Sequence, residues 1–154
     1  QGIASAAGCQ LVSACDLAIA SEGATFCTPG VNIGTFCTTP LVGIGRNLSR
    51  KHALEMALTG DQFDAATAER FGLINRSVPA SELEQATQEL AGKIASRSAE
   101  SIARGKSAFY QQVEMPLDKA FELANQVMRE NLTADGDAQE GIGAFLEKRD
   151  PEWG

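Results

Sequence analysis

One histidine, one tryptophan and one tyrosine in 154 residues leave few of the usual groups for nucleophilic or metal chemistry. A Ser-His-Asp triad would have only His52 to draw on, and no G-x-S-x-G elbow is present. The four cysteines, Cys9, Cys15, Cys27 and Cys37, form no C-x-x-C pair, so no zinc or other metal site is expected. They read instead as small buried hydrophobes. Cationic residues are outnumbered: Lys plus Arg total 13 against 20 Asp plus Glu, a net charge of −7. That balance excludes a nucleic-acid binder held by general electrostatics and disfavours an anionic membrane surface. No apolar stretch approaches the ~20 residues that span a bilayer. No charged leader precedes the first apolar segment. The chain begins at Gln1 rather than Met, inside a segment of small residues, so a preceding part of the protein is expected.

What is present fits an ordinary folded protein, with 44% hydrophobic and 21% charged residues. Composition changes at Arg46. Before it the only charges are Asp16 and Glu22, and all four cysteines and 7 of the 15 glycines lie there. A buried α/β layer over residues 1–48 followed by amphipathic helices over 49–154 would give this contrast.

Local signals fill in that outline. Gly2-Ile3-Ala4-Ser5 reads as a strand end or turn, 6–14 as a short helix of small residues, and 17–20 and 24–27 as short strands. Pro29-Gly30 predicts a turn. Ser49 is placed to cap a helix reaching Leu58 and stopped by Gly60, and Asp64 to cap one ending before Gly72. Ser81 and Glu84 have capping-box spacing, and Leu83, Ala86, Leu90 and Ile94 recur at the helical period. Three further helices follow, carrying Ile102, Phe109 and Val113, then Leu117 to Met128, then Ala138, Ile142 and Phe145. Apolar stripes of this kind read first as core faces. His52, among basic residues at a helix start, reads as a solvated surface residue.

Gly105-Lys106-Ser107 ends like a phosphate-binding loop, but Glu100 stands where that loop needs its first glycine. Gly43-Ile44-Gly45 lacks the third glycine of a dinucleotide fingerprint. The segment Gly2-Ile3-Ala4-Ser5-Ala6-Ala7-Gly8-Cys9-Gln10-Leu11 is of greater interest. Residues this small allow a tight turn and close approach of a ligand to backbone. The N–H groups of a helix's first turn lack intrahelical partners and can stabilise developing negative charge, such as the oxyanion of a thioester enolate. Tight helix–strand packing without a ligand is the alternative.

Continued through Cys15-Asp16-Leu17-Ala18-Ile19-Ala20, this segment resembles the signature of the crotonase superfamily, the enoyl-CoA hydratase/isomerase family. Ala24-Thr25-Phe26, Pro29, Gly34, Leu58-Thr59-Gly60, Ala65-Ala66, Phe71-Gly72-Leu73-Ile74 and the run from Glu140 to Arg149 fall in that family's order and spacing. Within the family the chain is most similar to the enoyl-CoA hydratase domain-containing protein 3 group. The resemblance implies an α/β fold, the C-terminal part of a crotonase-like ββα spiral followed by a helical region, assembled as trimers or hexamers. It implies an acyl-CoA substrate, with coenzyme A as part of that substrate and no separate cofactor. Earlier strands, a first oxyanion-hole N–H and much of the CoA surface would precede Gln1. A cytoplasmic location is expected, or the mitochondrial matrix for a eukaryotic protein.

Carried over residue by residue, the resemblance places the second oxyanion-hole N–H on Ala7, with Ala4, Ala6 and Gly8 beside the substrate. The family's two catalytic glutamates fall on Gln10 and Gly30, so both carboxylates are absent. Gln10 can hydrogen-bond water but is no base near neutral pH, and proton transfer would pass to Gln10, Cys37, Thr38 or a residue before Gln1. Phe145 and Lys148 match positions that touch the CoA of a neighbouring subunit; a core Phe and a solvated Lys are the alternative. Two functions follow: an acyl-CoA enzyme of hydratase or isomerase type, and a non-catalytic acyl-CoA-binding or scaffold protein.

Overall fold

The computed structural model describes residues 1–133 and 136–154. By compactness the chain divides into Gln1–Glu89 and Leu90–Gly154. Composition marks a different point, since the charge-rich helices that begin just after 48 belong in part to the first unit.

In the first unit, strand β1 (Ile3–Ser5) leads into helix α1 (Ala7–Ala14), and β2 (Ile19–Ser21) and β3 (Thr25–Cys27) follow. A 3-10 turn, Pro29–Ile33, precedes α2 (Thr38–Asn47), α3 (Arg50–Thr59), β4 (Phe63–Asp64), α4 (Ala65–Phe71) and β5 (Arg76–Val78). Two small sheets result. One has the order β1-β3-β4, with β1 and β3 parallel and β3 and β4 antiparallel. The other pairs β2 with β5 in parallel, Ile19 facing Arg76. The chain changes sheet from β1 to β2, from β2 to β3 and from β4 to β5, while β3 and β4 share one sheet, an arrangement that matches the ββα spiral the resemblance implies. Asn75 extends the second pairing: its Oδ1 accepts from Ala18 N at 2.7 Å, and its own N–H donates to Ala18 O at 2.8 Å.

The core between these elements gathers Cys9, Phe26, Ile44, Leu48, Met56 and Leu73 with several alanines. Helix α2 lies outside the sequence expectations. Pro40 sits in its first turn, where a missing N–H costs nothing, but Gly43 and Gly45 weaken the helical signal. Packing explains Gly43: a Cβ there would lie 2.4 Å from Ser13 Oγ of α1. Asn47 Nδ2 donates to Ser13 O at 2.7 Å and locks the same crossing.

Local capping follows the residues that carry it. Ser49 Oγ accepts from His52 N at 3.3 Å and α3 ends on left-handed Gly60. Asp64 Oδ1 accepts from Thr67 N at 2.8 Å and α4 ends on left-handed Gly72. The hydrogen bond to Thr67 holds the Asp64 carboxyl below its usual range. Two expectations are corrected. His52 is stacked on Phe71, ring centroids 3.7 Å apart and planes within 7°, rather than simply solvated. Ser81 lies inside a 3-10 turn, Ala80–Glu82, that runs directly into α5 (Leu83–Ala95), so it is not a helix cap.

The second unit is helical: α6 (Ala99–Gln112), α7 (Leu117–Thr133) and α8 (Asp137–Glu147). Ser98 caps α6, its Oγ accepting from Ser101 N at 3.0 Å. Phe109, Leu117, Phe121, Met128 and Phe145 are exposed while Ala120 is buried and Ile102, Val127 and Ala138 are half-buried, so these stripes are core faces only in part within the chain. No helix among the described residues is long and apolar enough to cross a membrane.

Candidate active site

The first unit concentrates its candidate residues at the carboxyl ends of two neighbouring parallel strands. Ser5 of β1 faces Cys27 of β3. Beyond Ser5 the chain turns into α1 at Ala6; beyond Cys27 it enters the Pro29–Ile33 turn that contains Gly30. Ala6 N donates to Cys27 O at 3.0 Å, joining the two exits directly.

Ala6 adopts φ 46° and ψ −107°, a conformation that L residues other than glycine rarely take. Such backbone strain costs about 1–3 kcal/mol and persists where surrounding bonds fix it. Here the Ala6–Cys27 bond and the Gln10 N–H, which donates to Ala6 O at 2.9 Å, fix it from both sides. The sharp turn opens α1 on Ala7, Gly8 and Cys9, whose N–H groups belong to a first helical turn and have no intrahelical acceptor. Ala7, Gly8 and Gln10 are exposed, and Ala4 and Ala6 are half-buried.

Cys9 is fully buried beneath this turn. Burial pushes its thiol up to about 12, and the neighbouring Cys27 and Cys37 add to the shift, so it stays protonated and inert at neutral pH. Cys27 is buried, Cys37 half-buried and Cys15 exposed; all four are free thiols, and the reading as buried hydrophobes fails at Cys15.

Gly30 is buried. A Cβ on it would lie 3.0 Å from both the N and Sγ of Cys37 and 3.2 Å from Phe36 C. The turn is held against α3, since Thr28 Oγ1 donates to Met56 O at 2.9 Å and Asn32 Nδ2 to Gly60 O at 3.4 Å. Cys37 therefore fills the space into which a side chain at residue 30 would grow. Among the described residues no group of three His, Cys, Asp or Glu side chains is placed to hold a metal ion.

The family profile described as enoyl-CoA hydratase/isomerase matches residues 1–154. The chain belongs to the enoyl-CoA hydratase/isomerase family. Mitochondrial enoyl-CoA hydratase domain-containing protein 3 of Rattus norvegicus is 51% identical over 152 residues, covering 99% of this chain and 50% of that protein. Its Homo sapiens counterpart is 49% identical over the same length, with the same shares covered. The chain thus spans about half the length of these relatives. Among solved structures, an enoyl-CoA hydratase from Mycobacterium smegmatis superposes with a TM-score of 0.96 at 45% identity, over 99% of this chain and 59% of that one. Human enoyl-CoA hydratase domain-containing protein 3 gives a TM-score of 0.95 at 49% identity, over 99% and 60%. The expected cytoplasmic location is overturned: the rat, mouse, human, Xenopus laevis and Danio rerio relatives are all named as mitochondrial.

The family's remaining candidate positions lie in the second unit. Phe145 is 82% exposed on α8. Lys148 closes α8 in the left-handed conformation at φ 57°. Among the described residues only Ala6 and Lys148 are non-glycine residues at positive φ, and each was already a candidate site residue. Residues around Lys148 carry a further arrangement that sequence pattern missed. Arg149 forms a two-pronged pair with Glu140, at 2.5 and 2.9 Å, and its Nε donates to Glu147 at 2.6 Å. Glu140 and Arg149 stand nine positions apart, which matches no helical spacing and gives no signal in the sequence.

Proposed function

We propose that the protein acts on acyl-CoA thioesters, with the first-turn N–H of Ala7, supported by Gly8, donating to the thioester carbonyl and stabilising an enolate oxyanion. The strained turn at Ala6 is the observation that carries this reading. It is the kind of conformation retained where backbone N–H groups must be aimed at a ligand. Ala4 and Ala6 leave room for the acyl thioester, and Phe145 and Lys148 contact the coenzyme A bound to a neighbouring subunit. Neither nucleic acid nor a membrane is a partner.

Gln10 and Gly30 bring no ionisable group to the site. An enoyl-CoA hydratase needs a base to activate water and an acid to protonate the α carbon, so conventional hydration is slow, and proton transfer in a reaction of hydratase/isomerase type would fall to Gln10, Cys37, Thr38 or a residue before Gln1. The contact of Cys37 with Gly30 favours a second reading, a non-catalytic acyl-CoA-binding or scaffold protein, because it occupies space a carboxylate side chain would need.

Titration with a panel of saturated and unsaturated acyl-CoAs separates the two, with binding followed calorimetrically and turnover by product analysis. Binding with turnover supports an enzyme. Binding without turnover of any thioester leaves the second reading, and absence of binding refutes both.

A further inference from the structure

Lys148 is surrounded by a closed set of bonds. Its neighbours on either side are linked to each other, Arg149 Nε donating to Glu147 Oε2 at 2.6 Å, which makes a ring around the backbone of Lys148. The guanidinium prongs of Arg149 then fasten that ring to Glu140, two turns back on α8, at 2.5 and 2.9 Å. The backbone closes in the same place. Arg149 N donates to Ala144 O at 3.1 Å and Lys148 N to Phe145 O at 3.3 Å, the pair of bonds that ends a helix on a left-handed residue. Glycine is the usual occupant there because a Cβ disfavours the conformation. A lysine is kept instead.

The tail beyond Arg149 reinforces Glu140. Glu152 N donates to its Oε1 at 2.9 Å. Trp153 lies over Gly141, where an added Cβ would meet its ring at 3.2 Å, and its Nε1 donates to Ser96 O at 3.0 Å. Gly154 N donates to Asp137 Oδ1 at 3.0 Å. The carboxylate of Glu140 thus accepts the Glu152 N–H beside the two prongs of Arg149.

We propose that Glu140 and Arg149 are positioning residues that fix Lys148 in its left-handed conformation, so that its ammonium meets the phosphates of a CoA thioester. This deepens the reading of Lys148 as a CoA contact and rests on it. The two carboxylates and the guanidinium exchange bonds with one another. The lysine between them is left to face an anionic ligand on a chain whose net charge is −7.

The test measures Kd of the intact protein for butyryl-CoA and for the phosphate-free butyryl-pantetheine thioester, in Glu140→Gln, Lys148→Ala and the double variant. Arg149→Lys keeps the charge and removes the fork, and serves as an independent second disruption. Glu140→Gln and Arg149→Lys should each weaken butyryl-CoA binding by about 3–10-fold, the lower range of coupling between contacting residues. They should leave the pantetheine thioester unchanged and add nothing once Lys148→Ala is present. Lys148→Gly should raise the unfolding temperature while weakening butyryl-CoA binding. If Glu140→Gln costs as much in the Lys148→Ala background as in the wild type, or weakens both thioesters equally, the positioning role is wrong while the CoA contact stands. If Lys148→Ala leaves butyryl-CoA binding unchanged, the CoA contact itself is wrong and the proposal falls with it.

Discussion

Gly30 and Cys37 compete for one space: the point where a side chain at residue 30 would begin lies 3.0 Å from the Cys37 sulfur and 3.0 Å from its backbone nitrogen. Any Gly30 substitution must displace a segment that leads directly into α2. Gly30→Ala should destabilise the protein by about 1–3 kcal/mol through overpacking, and Gly30→Glu by more. Denaturant unfolding checks this. Cys37→Gly should recover only part of the loss, because the backbone contact remains. A Gly30→Ala variant as stable as wild type would show that the Phe36–Cys37 segment yields freely.

Gln10 is exposed on α1, so a carboxylate fits there without repacking. Hydration of crotonyl-CoA by the intact wild type should run at least ~10³-fold below that of relatives with both glutamates. Gln10→Glu should raise the rate by about 10–10²-fold, less than an isolated acid–base group gives, since paired groups do not add independently. Loss of enoyl absorbance measures both. Wild-type hydration at ordinary family speed would mean another residue performs the proton transfers.

Ser13 and Gly43 set the closest approach of α1 to α2. Gly43→Ala should cost about 1–3 kcal/mol, with Ser13→Gly in the same chain restoring most of it. Equilibrium unfolding of the two single variants and the double variant measures the coupling. Additive effects would place the strain elsewhere.

Acid should loosen the second unit through Glu140. Hydrogen bonds from Arg149, then from the Glu152 N–H, hold its carboxyl down to about 2. The Ser98 hydroxyl, then the Gly154 N–H, lower Asp137 in the same direction. A lowered folded-state value means the stabilisation is full above the unfolded value, about 4.3 for glutamate, and is lost as pH falls towards the folded one. Unfolding midpoints should therefore drop between about pH 5 and pH 2, and Glu140→Gln should flatten the slope. An identical slope in that variant would assign the acid sensitivity to other carboxylates.

Assembly should hide the apolar side chains that the second unit leaves in water. Leu117 is 74% exposed and Phe121 61%. We expect a homotrimer or hexamer, read by sedimentation of the intact protein. Leu117→Glu with Phe121→Glu should shift it to monomer. A wild type that sediments only as monomer at micromolar concentration would refute the expectation.

Elements whose ends are set by neighbours in the chain were readable from the sequence. Ser49 with Gly60, and Asp64 with Gly72, each mark a helix through a cap and a left-handed stop, both local effects. Helix α2 was not readable, because Pro40, Gly43 and Gly45 argue against a helix until Ser13 is known to press against it. The site divides in the same way. Small residues from Gly2 to Leu11 announced a close backbone approach, and the two missing carboxylates were evident from Gln10 and Gly30. An alanine gives no sign that its φ is positive, and nothing in the spacing of Cys37 shows that it fills the space beside Gly30. The Glu140–Arg149 fork depends on how the tail folds back, which no periodicity reports.

The pairing of β2 with β5 has a consequence for synthesis. Ala18 and Asn75, which bond to each other beside that pairing, are 57 residues apart. At ~5–20 residues per second, a ribosome takes roughly 3–11 s to add that length. β3 is made early in that interval and is free to pair with β1, while Ile19–Ser21 waits with its partner edge open. A nascent chain stalled in that window presents a short apolar strand to whatever is nearby, so slow translation between Ser21 and Val78 favours chaperone capture or aggregation over folding.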